Sequence, residues 1–139
     1  PGAHADEFPR HKVTIPAYQM ATCTVTRAQY RLYDPALEQR FAMEFQAIAP
    51  DDDGPVIETN WFDSMAFALW LGDAARLPTE TQWEGAARAG HDKPGDVIGI
   101  PPYHAGFTNQ QVNYNGSQPL VGQPKSGYLA RTLPVRWTD

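Results

Sequence analysis

Cysteine is almost missing from this chain. Cys23 stands alone among 139 residues, so no disulfide can close within the chain, which fits a reducing, cytoplasmic type of compartment. No apolar run approaches the ~18 residues that a membrane span requires. Lysine and arginine are sparse and scattered, and the formal charge is −5. Phosphate backbones are held by basic patches, so nucleic acid is excluded as the main partner. No two of His4, His11, His91 and His104 lie four apart, the spacing that would set two imidazoles on one helix face for a metal. No internal repeat is visible. The chain opens without a signal peptide and both ends are abrupt, as expected of an excised or processed piece.

Proline and glycine, by contrast, are plentiful. Thirteen prolines and eleven glycines predict a loop-rich fold, while 42% apolar and 19% charged residues place the chain among globular domains. Residues 7–18 alternate well enough for an edge strand. Thr26 and Gln29 form a capping box, predicting a helix over Arg27 to Tyr33 that Asp34-Pro35 ends. Leu37, Phe41, Phe45 and Ile48 predict one amphipathic helix over 36–48. Asp51-Asp52-Asp53-Gly54-Pro55 reads as a solvated turn, since no distal glutamate completes a calcium loop.

Asn60 is a good N-cap, with Asp63 near the positive end of the dipole and Gly72 as a stop. Phe62, Ala66, Leu69 and Trp70 form the expected inner face. Thr79 with Gln82 caps a further helix that ends at Gly90, with Trp83, Ala86 and Ala87 turned inward. Beyond residue 91 helical periodicity fades. The class is α+β, with two or three short helices on a small mixed or antiparallel sheet, in a single domain over 1–139 that is incomplete or reduced.

The order of motifs resembles the formylglycine-generating-enzyme (sulfatase-modifying factor) family. Glu7, Pro9, His11 and Val13 match its opening strand; Val25, Thr26 and Tyr30 match its first helix start; Pro55-Val56 and Trp61 through Trp70 match a Trp-x-Asp-Ala helix. Most specific is Arg-Leu-Pro-Thr-Glu-x-x-Trp-Glu-x-Ala-Ala-Arg-x-Gly, present as Arg76, Leu77, Pro78, Thr79, Glu80, Trp83, Glu84, Ala86, Ala87, Arg88 and Gly90. The similarity extends through Tyr103, Gly106 and Asn113. It implies a C-type-lectin-like scaffold, and such a fold hosts both enzymes and binding modules. The motif reads as scaffold, with Glu80 and Glu84 as ion-pair partners for Arg76 and Arg88.

The chemistry for which the family is named is oxidation of a sulfatase cysteine to formylglycine, with copper held by two cysteines. A thiolate pair suits Cu(I), and one cysteine cannot supply it. Ala68 stands where a cysteine is common, Tyr103-His104-Ala105-Gly106 replaces Tyr-Pro-Trp-Gly, and Leu133-Pro134 replaces a Gly-Asn pair. Cys23 reads as a buried structural thiol. His11 reads as a strand residue, and His104 is the better functional histidine. The candidate binding residues are Tyr103, His104, Asn109, Asn113, Tyr114 and Asn115, since amides and tyrosines suit adaptable recognition. The alternative is a turn cluster with Asn115-Gly116 at its tip. The resemblance further implies calcium near Asn113.

Three readings follow. One is a non-catalytic module that recognises a protein or small-molecule ligand. Another is a formylglycine-generating oxidase, or a related iron-dependent sulfoxide synthase, with its catalytic part elsewhere. The third is a structural subunit completed by another chain.

Overall fold

The computed structural model describes residues 12–88, 113–119 and 124–136. They fall into two compact units, Pro1–Met20 with Pro78–Gly99, and Ala21–Leu77 with Ile100–Asp139. Among the described residues there are five helices: α1 (Arg27–Arg31), α2 (Leu37–Arg40), α3 (Ala42–Ile48), α4 (Trp61–Leu71) and α5 (Glu80–Arg88). None is long and apolar enough to cross a membrane. The expected sheet is not found among these residues, and residues 12–18 form no strand, while 7–11 lie outside the described set. A single antiparallel bridge joins Thr26 to Pro55. Helix α1 begins directly after Thr26 and carries the chain away before a ladder can extend. The neighbouring backbone groups pair one at a time, Val56 N donating to Val25 O at 3.0 Å and Arg27 N to Gly54 O at 2.9 Å.

Helix α1 starts as its capping box dictates. Thr26 Oγ1 accepts from Gln29 N at 3.1 Å, and Gln29 Oε1 accepts from Thr26 N at 2.9 Å. It ends at Arg31 rather than Tyr33, because Tyr33 N and Asp34 N both turn back to Tyr30 O. The single helix expected over 36–48 is broken at Phe41, whose φ of −122° and ψ of 39° are not helical. Eight residues apart in a straight helix, Leu37 and Phe45 would point roughly 80° away from each other. The break lets both bury, each at 2% exposure.

The core of the larger unit is Tyr30, Leu37, Phe45, Ala49 and Phe67, with Val25, Tyr33, Phe41, Val56 and Ile57 packed against it. Tyr30 stacks on Phe67 at 5.2 Å, and Tyr33 meets both rings edge-on at 5.5 and 5.9 Å. Burial pushes the Tyr30 hydroxyl up to about 12, so it stays neutral.

Asn60 and Asp63 cap α4 reciprocally, and Gly72, at φ 135°, ends it. The expected inner face is corrected, however. Phe67 and Ala68 are buried, while Phe62, Leu69 and Trp70 are 76%, 63% and 49% exposed. The helix is apolar on nearly every side, so its pattern prefers no face. The stacking of Phe67 on Tyr30 decides.

In the smaller unit Thr79 and Gln82 cap α5 reciprocally, at 3.0 and 3.2 Å. Its packed face is also not the expected one. Trp83 is 63% exposed and Ala86 is exposed. Tyr18 and Ile15 lie instead against Gln82 and Gly85. The Tyr18 hydroxyl donates to Gln82 O at 2.6 Å, and a Cβ on Gly85 would come within 2.9 Å of Ile15 Cδ1.

Arg27 organises the larger unit. Its Nε and Nη2 grip both Glu38 oxygens at 2.7 and 3.0 Å, and its Nη1 donates to Ala49 O and Pro50 O at 2.9 and 2.8 Å. Its guanidinium also sits 5.2 Å from the Phe45 ring. Arg31 reaches Asp52 through two bonds at 2.7 and 3.0 Å, so the Asp51–Asp53 turn is anchored rather than merely solvated. Hydrogen bonds from Arg27 hold the Glu38 carboxyl below its usual range, against the opposing effect of burial. Arg31 does the same for Asp52, and Arg40 for Asp34.

Arg27→Ala is expected to cost about 2–4 kcal/mol in chemical denaturation, because Glu38 and two carbonyls lose their donor together. Arg31→Ala, whose side chain reaches solvent, should cost clearly less. Carboxyls with depressed values stabilise the fold above the ordinary carboxylate range, near about pH 4, and that stability is lost as pH falls through their folded values. The denaturation midpoint should therefore hold between neutrality and about pH 5 and drop in acid, with a smaller drop in Glu38→Gln.

Candidate functional site

Within the larger unit, residues 124–136 are tied to the end of α3 and the turn after it through main-chain contacts. Thr132 N donates to Ile48 O at 2.6 Å, and Val135 N to Asp53 O at 2.9 Å. Gly54 makes this approach close. A Cβ there would lie 3.1 Å from both Asp51 O and Thr132 Oγ1. A second close contact joins residues 113–119 to this stretch, where Ser126 N donates to Gly116 O at 2.9 Å.

Between these contacts lies an open hollow of about 370 Å³, lined by Ile48, Asn113, Tyr114, Asn115, Tyr128, Ala130, Arg131 and Thr132. Its volume falls at the low end for small-molecule sites. Ala130 adopts φ 54°, a left-handed conformation that costs an alanine of order 1–2 kcal/mol, so the rim is held in a strained shape.

Three of the six expected binding residues, Asn113, Tyr114 and Asn115, line this hollow. Tyr103, His104 and Asn109 lie outside the described residues, as do His4, His11 and His91. The amides also build the turn. Asn113 Nδ2 donates to Arg131 O at 2.9 Å, while Asn115 Oδ1 accepts from Ser117 N at 3.2 Å and Ser117 Oγ at 2.6 Å. The turn and this part of the hollow's lining are therefore the same residues. Ile48, Tyr128, Arg131 and Thr132 were not among the expected site residues. Only the Gly127-Tyr128 pair hinted at them, because an aromatic beside a glycine in a proline-rich stretch has little reason to be buried.

The motif residues divide differently. Thr79 acts as the cap and Glu80 sits in the first turn of α5. The ion pairs among the described residues are made by Arg27, Arg31 and Arg40 with Glu38, Asp52 and Asp34, not by Arg76 or Glu80. The side chain of Arg88 lies outside the described set. Cys23 is half-buried rather than buried, 3.8 Å from Thr22 Oγ1.

The donor sets do not fit the metals that the resemblance implies. Copper would need a second thiolate, and the sequence has none. Calcium takes six to eight oxygens, typically with carboxylates. Asn113 offers its Oδ1, but among the described residues no carboxylate lines the hollow. Among the described residues no group of three histidines, cysteines or acids could hold a metal ion.

The sulfatase-modifying factor enzyme 1-like domain family matches residues 1–120. A formylglycine-generating enzyme of Thermomonospora curvata is 51% identical over 81 residues, covering 58% of this chain and 25% of that protein. Its counterpart in Streptomyces coelicolor is 53% identical over 82 residues, covering 59% and 25%. A hercynine oxygenase of Mycolicibacterium thermoresistibile is 30% identical over 115 residues, covering 62% and 25%. The matched part is thus about 25% of the length of these curated relatives. No solved structure gives a significant match.

Gly116→Ala tests the frame of the hollow. The new Cβ would run into the Ser126 side chain and lie 2.7 Å from Gly127 O. A loss of about 1–3 kcal/mol is expected in the denaturation midpoint, as for other overpacked sites.

Proposed function

Because the chain belongs to the sulfatase-modifying factor enzyme 1-like domain family, we propose that it is a recognition module that uses the family scaffold without the oxidase chemistry. The observation that carries this reading is the hollow itself. It gathers two tyrosines, two amides and an arginine on a strained rim, and among the described residues no thiol, histidine or carboxylate lines it. Rigid aromatic surface with adaptable amide donors and acceptors is the chemistry of binding sites. The occupant is a small molecule or a short protein segment. Tyr103 and His104 belong to the same recognition stretch.

A second reading is favoured by the identity of about half the aligned positions with proteins named formylglycine-generating enzyme. In that reading the chain is the scaffold of an oxidase acting on sulfatase cysteines, and residues outside this sequence provide the thiolates. The single Cys23 makes activity of this chain by itself chemically unsupported.

Incubating the chain with Cu(I), oxygen and a cysteine-containing sulfatase peptide should leave the peptide unmodified in mass spectrometry. Formylglycine in the product would overturn the non-catalytic reading. For recognition, Tyr128→Ala should weaken binding to a screened small-molecule or peptide ligand by about tenfold, the scale on which aromatic contacts act. Unchanged affinity in Tyr128→Ala, and again after joint replacement of Tyr103, His104 and Tyr114, would sink the assignment to this surface.

A further inference from the structure

Resting on the recognition reading of this same hollow, we infer that its ligand is an anion, a carboxylate carried on a flat apolar or aromatic body. The polar groups that line it are unequally committed. Several of its acceptors are engaged: Arg131 O receives Asn113 Nδ2, Ile48 O receives Thr132 N, and Asn115 Oδ1 receives two donors from Ser117. The Asn115 Nδ2 and the guanidinium of Arg131 are donors that take no part in these bonds.

Among the described residues Arg131 is also the single charged residue in the lining. Arg27, Arg31 and Arg40 are all committed to carboxylates, whereas Arg131 makes no ion pair among the described residues. In a chain of net charge −5, a lining with one cation and no carboxylate among the described residues is a local exception.

One guanidinium presents a planar fork that matches a carboxylate through two parallel bonds. A phosphate would call for more positive charge than one arginine. The body of the ligand is set by Tyr128, 62% exposed, and Ile48, 41% exposed, which offer apolar surface in the same lining. A hollow of about 370 Å³ admits a single ring with a short acid arm.

The test compares phenylacetate with its neutral analogue phenylacetamide, followed by amide chemical shifts of the full chain at low salt. Phenylacetate should bind about tenfold more tightly, as charge-assisted bonds exceed neutral ones. Its shifts should cluster at 113–116 and 128–132. Arg131→Gln should erase the preference while keeping the weaker neutral binding, and Arg131→Lys should restore only part of it. Equal affinities with shifts in the hollow would overturn the carboxylate assignment and leave the recognition reading standing. Absence of shifts in the hollow with either compound would overturn the recognition reading along with it.

Discussion

The larger unit depends on the guanidinium of Arg27. Helices α1, α2 and α3 have five, four and seven residues. Helices so short do not persist in water, because nucleation fixes several residues before the first hydrogen bond repays it. They hold only by tertiary contact. Arg27 stands on the first, grips Glu38 on the second, and satisfies the Ala49 carbonyl where the third ends. That last bond matters most, since a helix C-terminus leaves carbonyls without partners. With its side chain 16% exposed, the arginine does this where water competes poorly. The turn that follows is then held by Arg31 through Asp52, and the turn carries the carbonyl of Asp53 that receives Val135. The wall of the hollow is thus anchored to the turn that these arginines hold.

Local signals were legible in the sequence and long-range ones were not. Thr26 with Gln29, Asn60 with Asp63 and Thr79 with Gln82 all act as the caps their spacing implies, because a cap is decided within four residues. The faces of α4 and α5 went wrong for a shared reason. In Trp61–Leu71 apolar residues surround the axis, so which side turns inward is chosen by a ring on another helix, Tyr30. In Glu80–Arg88 the small Gly85, not the large Trp83, marks the packed side, since only a glycine lets Ile15 approach so closely. Volume was read as burial where the lack of a side chain was the real signal.

The site was half legible on the same principle. Asn113, Tyr114 and Asn115 form a turn that sequence composition announces, and they do line the hollow. Ile48 comes from the end of α3, more than sixty residues earlier, and reaches the hollow only because Thr132 N bonds to its carbonyl. No periodicity encodes that pairing. Arg131 enters the lining in the same way, with its carbonyl accepting from Asn113 Nδ2 across 18 residues.

The family resemblance and the missing chemistry do not conflict, because they reside in different residues. The matched motif, Arg76 to Gly90, supplies a capped helix and contributes no thiol. A scaffold of this sort constrains backbone geometry and leaves its loops free, so identity near one half carries over the frame, and the reaction has to be argued separately. What the loops do must then be argued from their own atoms. Among the described residues those atoms are tyrosine rings, amides and an arginine outside any ion pair, around a strained alanine. In the recognition reading we propose, that surface holds a ligand, and any chemistry on the ligand is brought to it by other groups.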